Sequence, residues 1–318
     1  MEQSGSGQRA ARPFSGSMRH HLEAWGLRSL FQLSRMLPAS SASRLGGALA
    51  RHLGPFLPSS RIADLNLQRA FPKLGAWERQ NIIRGCWKNL GCTLAELPHL
   101  PDLPSSPATG PGWRVLNDHI LHQARRSGRP VIFFSGHLGN WELMPLIVAR
   151  YGLGFSPFYR APNNRHVDHL LRQMRQKIAG VPTSFFPKGR QGARDAVRHL
   201  SNGGHLGVLG DQKMNDGIEA SLFGHPTMTA PAAAALALRF KALIVTGHVW
   251  REGPARLVLD VASCLDPQDV SPAPRQEMIH QLTQTLNDEL ERWITERPEN
   301  WLWLHRRWEK TFYQNKKK

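Results

Sequence analysis

The sequence predicts an α/β fold, in which a mixed, mostly parallel sheet is flanked by helices and preceded by a helical region. The first observation is that, after about residue 113, short apolar runs alternate with stretches of helical periodicity. This alternation is typical of parallel or mixed sheets that carry helices on their faces. The second observation is the composition, because 41% hydrophobic and 20% charged residues suit a chain that folds around a core.

The elements can be assigned in chain order. Helical periodicity is found at 18–37, 45–57, 62–70 and 77–96, and a linker rich in Pro, Ser and Gly covers 97–113. Strands are predicted at 131–135, 154–159, 183–186, 206–209, 242–249 and 257–261. The helices that accompany them are predicted at 115–124, 141–151, 167–178, 193–200, 232–240 and 275–297.

We expect four regions. Residues 1–17 are polar and rich in Gly and Ser, which predicts a disordered N-terminus. Residues 18–60 form amphipathic helices, whose apolar faces either enter a membrane interface or pack on the protein's own core. Residues 61–312 form the α/β domain, and 313–318 form a basic tail. Because the chain contains no uncharged apolar run of about 18 residues, we expect peripheral or monotopic attachment rather than a membrane span.

The chain is strongly basic, with 41 Lys and Arg against 24 Asp and Glu and a formal net charge of +17. This excess favours an acidic partner, which can be nucleic acid, an anionic membrane surface, a phosphorylated substrate or an acidic carrier protein. Composition alone does not choose among them. The three cysteines form no Cys-x-x-Cys pair, which favours a reducing, cytosolic setting.

A histidine directly follows the most apolar predicted strand. Strand 131–135 runs into Gly136, His137 and Gly139, and then into Glu142. The sites of α/β proteins lie at the carboxyl ends of strands, and the two glycines allow close substrate approach. With Glu142 in the first helical turn, its carboxylate can reach back to orient the imidazole and stabilise the imidazolium. The alternative is a structural histidine beside a glutamate that only favours the helix dipole.

Other polar clusters give weaker signals. His166 and His169, with Asp168 between them, form a histidine pair three residues apart on a predicted helix. No further ligand follows at a spacing that suits a metal, so we predict a solvated helix face and no metal site. The chain has no Gly-x-Ser-x-Gly elbow and no cysteine beside His137, so we expect no protein nucleophile. The Trp-rich segment 301–308 can stack nucleobases, sit at lipid headgroups or pack the chain terminus.

At this point a family resemblance is visible. The residues from Gly136 to Glu142 resemble the His-x4-Asp/Glu motif of the lysophospholipid/glycerophosphate acyltransferase superfamily, and more closely its lipid A late (lauroyl/myristoyl) acyltransferase branch. Further blocks similar to those of this branch follow in the expected order: Tyr159-Arg160-Ala161-Pro162-Asn163-Asn164, Gly210-Asp211-Gln212-Lys213, Phe223-Gly224, Thr229-Ala230-Pro231 and 297–308. The matches run from about Arg61 to Lys310. Ala161 departs from the pattern, which has proline there, and the amphipathic 18–57 region replaces the hydrophobic anchor of many members.

The resemblance implies roles for these residues. His137 would be the general base, with Glu142 orienting it. Arg160 would bind a phosphate of donor or acceptor, because guanidinium pairs with phosphate through two hydrogen bonds; its alternative is a simple ion pair.

The remaining blocks imply further substrate-binding residues. Asp211 would either bind polar groups of the substrate or pair with a cation of the active site. Asn163 and Asn164 complete the substrate-binding set, more as turn residues that support Arg160 than as direct ligands.

The resemblance also implies the reaction and its setting. An acyl chain would move from the thioester of acyl carrier protein, or less often coenzyme A, to a hydroxyl of a phosphorylated lipid A precursor, with no other cofactor. The protein would act as a monomer at the cytoplasmic face of the inner membrane, on an anionic surface and without nucleic acid. Two alternatives stay open: another lysophospholipid or glycolipid acceptor, and a non-catalytic basic protein that binds anionic lipid or nucleic acid.

Overall fold

The computed structural model describes residues 14–106 and 109–314. Its N-terminal part is helical, as predicted, and comprises α1 (Phe14–Arg35), α2 (Ala39–Leu53), α3 (Ser59–Ala70) and α4 (Ala76–Glu96). Helix α1 begins at Phe14, before the expected boundary at Met18. The rest of the predicted disordered N-terminus, 1–13, and most of the predicted basic tail, 315–318, lie outside the described residues.

Helix α2 packs closely on α4. A Cβ atom added to Gly91 of α4 would lie 2.2 Å from the carbonyl oxygen of Gly46 in α2, so only glycine permits this approach of the two backbones. The opposite side of α2 exposes Leu45 and Leu49. Packing on the protein's own core and contact with a membrane interface, the two alternatives predicted for residues 18–60, are therefore compatible. One face of α2 packs on α4, while the opposite face is exposed.

The described residues contain nine strands: β1 (Gly112–Leu116), β2 (Val131–Ser135), β3 (Phe155–Tyr159), β4 (Phe186–Pro187), β5 (His205–Leu209), β6 (Lys213–Leu222), β7 (His225–Thr229), β8 (Leu243–Gly253) and β9 (Arg256–Leu265). Seven of them form one sheet in the order β1-β9-β8-β2-β5-β3-β4. Neighbours in this sheet are parallel except β8 and β9, whereas β6 and β7 form a separate antiparallel pair. The predicted mixed, mostly parallel sheet is confirmed.

Helices cover both faces of this sheet. They are α5 (His119–Arg126), α6 (Met144–Arg150), α7 (Arg165–Ala179), α8 (Arg190–Ser201), α9 (Ala232–Phe240) and α10 (Arg275–Glu296), and a short α11 (Lys310–Gln314) follows. Strand β2 alternates between the two cores, with Ile132 and Phe134 in one and Val131 and Phe133 in the other. A strand buried on both faces reads as a continuous apolar run, which is why β2 was predictable residue for residue.

Three strand predictions were wrong or incomplete. Residues 112–116 form β1 rather than the end of a linker and the start of a helix, and helix α5 starts only at His119. Strands β6 and β7 were not predicted, because β6 is largely polar. Of the strand predicted at 183–186 only Phe186 lies in a strand, and this strand, β4, ends at Pro187. The short strands β1 and β4 are stabilised mainly by pairing with neighbouring strands, and local periodicity in the sequence does not reveal such pairing.

The Trp-rich terminal block belongs to the core. The side chains of Trp301, Trp303 and Trp308 are fully buried, as is that of Arg307. The block therefore packs the end of the chain and presents no indole rings to nucleobases or lipid. No described helix is long and apolar enough to cross a membrane.

Candidate active site

The site is built where two neighbouring parallel strands end. Strand β2 leads into the His137 loop, and the adjacent strand β5 leads through Gly210 into Asp211. The amide of Gly210 donates to the carbonyl oxygen of Ser135 at 2.8 Å, which keeps the two chain segments side by side past the strand ends. His137 and Asp211 therefore meet although they are distant in the sequence.

Backbone contacts hold the His137 loop rigidly. Gly139 has a φ of +56°, and a Cβ atom there would lie 1.8 Å from the carbonyl oxygen of Val249, so glycine is required. The Gly139 amide donates to Asn300 O at 3.0 Å, and the Leu302 amide donates to His137 O at 3.0 Å. The C-terminal block thus positions the loop that carries the histidine.

Asn140, which follows Gly139, also has a structural role. Asn140 precedes the short 3-10 turn Trp141–Leu143, but its side chain does not cap that turn. Instead, its Nδ2 donates to Glu96 Oε2 at 2.7 Å, and Glu96 also receives the guanidinium of Arg251. Asn140 therefore does not act as an N-cap, because its side chain is bound to a buried carboxylate of α4.

The carboxylate that orients His137 is Asp211, not Glu142. His137 Nδ1 lies 2.8 Å from Asp211 Oδ1, and the His137 amide donates to Asp211 Oδ2 at 3.0 Å. Asp211 is 1% exposed and also accepts a hydrogen bond from Trp301 Nε1 at 2.8 Å. The expected direct pairing of His137 with Glu142 is thus corrected. Of the two roles predicted for Asp211, pairing with a cation of the active site agrees with this geometry, because its oxygens are occupied by His137 and Trp301.

Glu142 has a different partner. Arg175, on α7, donates from Nε to Glu142 Oε2 at 2.9 Å and from Nη2 to Oε1 at 2.5 Å. Trp141 Nε1 adds a third donor to Oε1 at 3.2 Å. Glu142 is buried, so the guanidinium supplies the counter-charge that a buried carboxylate requires.

The electrostatics follow from these pairs. Burial by itself would lower the pKa of His137, but the Asp211 carboxylate outweighs it and the pKa lies above the ordinary histidine value. Burial opposes the charged forms of both carboxylates as well. His137 nevertheless holds the pKa of Asp211 below its usual range, and Arg175 does the same for the pKa of Glu142. Asp211 and Glu142 are therefore ionised at neutral pH.

A cavity of about 320 Å³ opens at this point. His137, Glu142 and Arg175 are among the polar residues that line it, and its walls are mainly apolar. The apolar lining includes Phe133, Met144, Phe155, Phe158 and Phe185. Since Asp211 engages Nδ1, the nitrogen of His137 that is left for a substrate is Nε2, which makes no hydrogen bond to any described residue. Such a site can abstract a proton next to an apolar substrate chain.

The second predicted block is only partly at the cavity. Arg160 lines it, is exposed, and makes no hydrogen bond or ion pair with the residues that the structure describes. Asn164 is buried instead: its Oδ1 caps α7 by accepting from the His166 amide at 2.9 Å, and its Nδ2 donates to His20 O in α1 at 2.7 Å. Asn163 is exposed and does not line the cavity. Asn164 therefore has a structural role at the start of α7, in keeping with the predicted turn residue rather than with a direct ligand.

Sequence reasoning missed Arg175 altogether. It lies in a helix with several other basic residues, and no local pattern distinguishes it from Arg172 or Lys177. Its position on the helix flank that faces Glu142 is decided by the packing of α7 against α6 and the Trp141–Leu143 turn. No group of three metal-ligating side chains is arranged to hold an ion within residues 14–106 and 109–314.

Fold and site together define an α/β protein that places a carboxylate-bound histidine beside an apolar cavity, an arrangement suited to acid–base chemistry on a lipid. Residues 12–310 match the family described as bacterial lipid A biosynthesis acyltransferase, and the chain belongs to this family. The protein is therefore an acyltransferase of lipid A biosynthesis. A comparison with curated proteins gave no match.

Proposed function

We propose that the protein transfers a fatty acyl chain from the thioester of acyl carrier protein, or of coenzyme A, to a hydroxyl of a phosphorylated lipid A precursor, with no further cofactor. The observation that carries this proposal is the geometry of His137. Its Nδ1 is held by the ionised Asp211, and its side chain lines the cavity whose apolar walls suit an acyl chain. This supports a general-base role for His137, with Asp211 as its orienting carboxylate.

The reaction needs one proton carrier. His137 Nε2 takes the proton of the acceptor hydroxyl while the oxygen attacks the thioester carbonyl. The tetrahedral intermediate then collapses, the carbon–sulfur bond breaks, and the imidazolium gives its proton to the departing thiolate. Asp211 stabilises the imidazolium between the two transfers, and no covalent enzyme intermediate is required.

Arg160 is our candidate for binding a substrate phosphate. It lies at the cavity, is exposed, and has no acidic partner among the described residues, so its guanidinium is available for two hydrogen bonds to phosphate. Lys188 also lines the cavity and is exposed. These cations favour a phosphorylated acceptor over an uncharged lipid.

We further propose that α1 and α2 lie on the anionic cytoplasmic face of the inner membrane. The side chains of Leu22, Trp25 and Leu33 in α1, and of Met36 directly after it, are all exposed, with Trp25 at 71%. Phe56, just after α2, is 86% exposed. Exposed apolar clusters of this kind mark lipid or protein interfaces, and neighbouring arginines add attraction to anionic lipid.

Two experiments test the function. Mass spectrometry of lipid A from cells with and without the gene should show one acyl chain missing without it. A changed glycerophospholipid profile with intact lipid A would instead favour the alternative lysophospholipid acceptor. With purified protein, His137→Ala should lower turnover by about 10²–10⁴-fold. Retention of more than about a tenth of wild-type turnover would refute the general-base role, since that loss falls below the usual range.

A further inference from the structure

The acyl transfer proposed above leaves one requirement open. When the acceptor oxygen attacks the thioester, the carbonyl oxygen becomes negatively charged and needs hydrogen-bond donors that are already in place. Backbone amides often serve this purpose. Three amides of the His137 loop are already used, because that of His137 donates to Asp211, that of Leu138 to Gly136 O at 2.8 Å, and that of Gly139 to Asn300 O at 3.0 Å.

A side-chain cation in the same cavity meets the requirement. We propose that Arg175 is the catalytic residue that stabilises the oxyanion, and that Glu142 is a positioning residue that acts by holding Arg175 rather than by contacting His137. This inference rests on the proposed acyl transfer and deepens it. Under this inference the glutamate of the His-x4-Glu motif, Glu142, has the role of holding Arg175, which agrees with the hydrogen bonds between the two side chains.

The geometry of the ion pair explains why Arg175 suits this role. Glu142 binds the edge of the guanidinium formed by Nε and Nη2. The third nitrogen, Nη1, makes no hydrogen bond to any residue that the structure describes, and the side chain is 28% exposed where it lines the cavity. A guanidinium anchored on one edge keeps its other donors directed at a substrate without a large reorganisation.

The other cations of the cavity lack this anchoring. Arg160 and Lys188 are exposed and have no carboxylate partner in the described part of the chain, so their side chains are not held in one orientation. They suit a flexible, screened contact to phosphate. Arg175 is different because its counter-ion is itself buried, next to the histidine that accepts the proton.

The charge balance of the step is complete. The acceptor oxygen forms a bond to the carbonyl carbon, the π electrons move to the carbonyl oxygen, and the proton moves to His137 Nε2. Arg175 stabilises the resulting oxyanion. On collapse, the carbonyl re-forms, the carbon–sulfur bond breaks, and the thiolate takes the proton from His137. An ester and a free thiol result, and Arg175 keeps its protons throughout.

The test is a double-mutant cycle on the purified full chain, with an acyl-thioester donor and a lipid A precursor as substrates. Arg175→Gln should lower kcat by about 10²–10³-fold with little change in either KM, because the oxyanion exists only in the transition state and the intermediate. Glu142→Gln should also lower kcat, since Arg175 then loses its anchor. The double variant should be no slower than Arg175→Gln, because Glu142 acts through Arg175.

Controls separate this role from folding and from charge. Lys177→Gln removes the same charge from an exposed position of the same helix and should leave kcat unchanged. The double variant removes both members of the buried pair, so it does not leave the unpaired carboxylate that can unfold Arg175→Gln. If Arg175→Gln fails to fold, a folded but slow double variant supports the inference, and Arg175→Lys should show an intermediate loss.

Three results would overturn the inference. The first is a near wild-type kcat in Arg175→Gln or in the folded double variant. The second is that the losses in kcat of the two single variants multiply in the double variant. The third is that Arg175→Gln changes only KM, which would make Arg175 a ground-state ligand. Failure of the wild-type protein to use a lipid A precursor would refute the proposed acceptor instead. The same cycle, measured on any acceptor that supports His137-dependent transfer, would still decide the role of Arg175.

Discussion

The chemistry of the site depends on contacts between single residues that are far apart in the chain. His137 receives its orientation from Asp211 through two hydrogen bonds, one to the ring and one to its backbone amide. The same carboxylate is fixed by Trp301 from the C-terminal block. The proposed base His137, the carboxylate of Asp211 that orients it and the indole of Trp301 that fixes this carboxylate therefore come from three separate segments of the chain.

We predict that Asp211→Asn moves the acid limb of the pH–rate profile. His137 must be neutral to accept a proton, and its pKa is raised by Asp211, so wild-type kcat/KM should fall as the pH drops through that raised pKa. Without the negative charge, the His137 pKa falls and the limb should shift to lower pH. Turnover should drop by about 10²–10⁴-fold, since the imidazolium is less stable.

The profile of kcat/KM against pH measures this shift. Asp195→Asn, which removes a carboxylate from the surface of α8, is the matched control and should leave the limb unchanged. An unchanged limb in Asp211→Asn would contradict the assignment of Asp211 as the carboxylate that sets the basicity of His137.

We predict that Arg160→Lys does not fully restore function. Guanidinium offers two parallel donors to a phosphate, whereas ammonium acts as a point charge. Lys should therefore cause a clear loss and Ala a larger one, mainly in the KM of the phosphate-bearing substrate if binding is uniform through the reaction. Steady-state kinetics with donor and acceptor varied separately measure this. Near wild-type constants for Arg160→Lys would reduce Arg160 to a general source of positive charge.

At the scale of elements, α1 and α2 combine an inner packed face with an outer apolar face. In α1, Phe31 is buried against the protein while Leu22, Trp25 and Leu33 are exposed. Asn164 of the α7 N-terminus donates to His20 O and to Glu23 in α1. Helix α1, whose outer face we propose to contact lipid, is thus attached to the helix that carries Arg175. The proposed lipid surface therefore lies next to an element of the site.

We predict that Trp25→Glu and Phe56→Glu weaken binding to vesicles that contain anionic lipid, because each change places a charge in an apolar interface. High salt should also release protein, since each basic residue near an anionic surface contributes roughly 1 kcal/mol that salt screens. Vesicle flotation measures both effects. Gln173→Glu, the same charge change at an exposed site of α7, is the control and should bind like the wild type.

An opposite result would be informative. Retention that only detergent reverses would show an integral anchor instead of an interfacial one. Equal binding by Trp25→Glu, Phe56→Glu and Gln173→Glu would show that the exposed face of α1 and α2 does not contact lipid.

At the scale of the whole molecule, one buried ion pair joins the N-terminal helices to the sheet. Arg251 of β8 binds Glu96 of α4, which is fully buried and also accepts from Ser43 of α2 and Asn140 of the site loop. Four parts of the chain therefore meet at one carboxylate, whose charge is compensated by a single guanidinium.

We predict that Arg251→Ala lowers the free energy of unfolding by about 3–5 kcal/mol, because it leaves the Glu96 carboxylate buried and unpaired. Arg114→Ala breaks a partly exposed pair with Glu252 and should cost about 0–1 kcal/mol. Urea-induced unfolding of both variants gives the comparison. Equal destabilisation of the two would contradict the special importance of the Glu96 cluster.

Much of this architecture could be predicted from local sequence. Strand β2 and helix α9 were predicted with the observed bounds, because each has a clear apolar pattern and defined ends. His137 was placed correctly at a strand end. Arg160 lines the cavity, and its predicted binding of phosphate stays a prediction. These features depend on neighbours within a few residues, which periodicity and turn chemistry report.

The partners of these residues were decided by tertiary structure alone. The sequence determined that a histidine, a glutamate and an aspartate lie near strand ends, but it did not determine which carboxylate binds the ring. Strand β5 lies beside β2 although β3 and β4 come between them in the chain, and this order brings Asp211 to His137. Helix α7 packs in a position that allows Arg175 to form an ion pair with Glu142. Pairings of this kind depend on strand order and helix packing, which result from burial across the whole core and leave no local pattern.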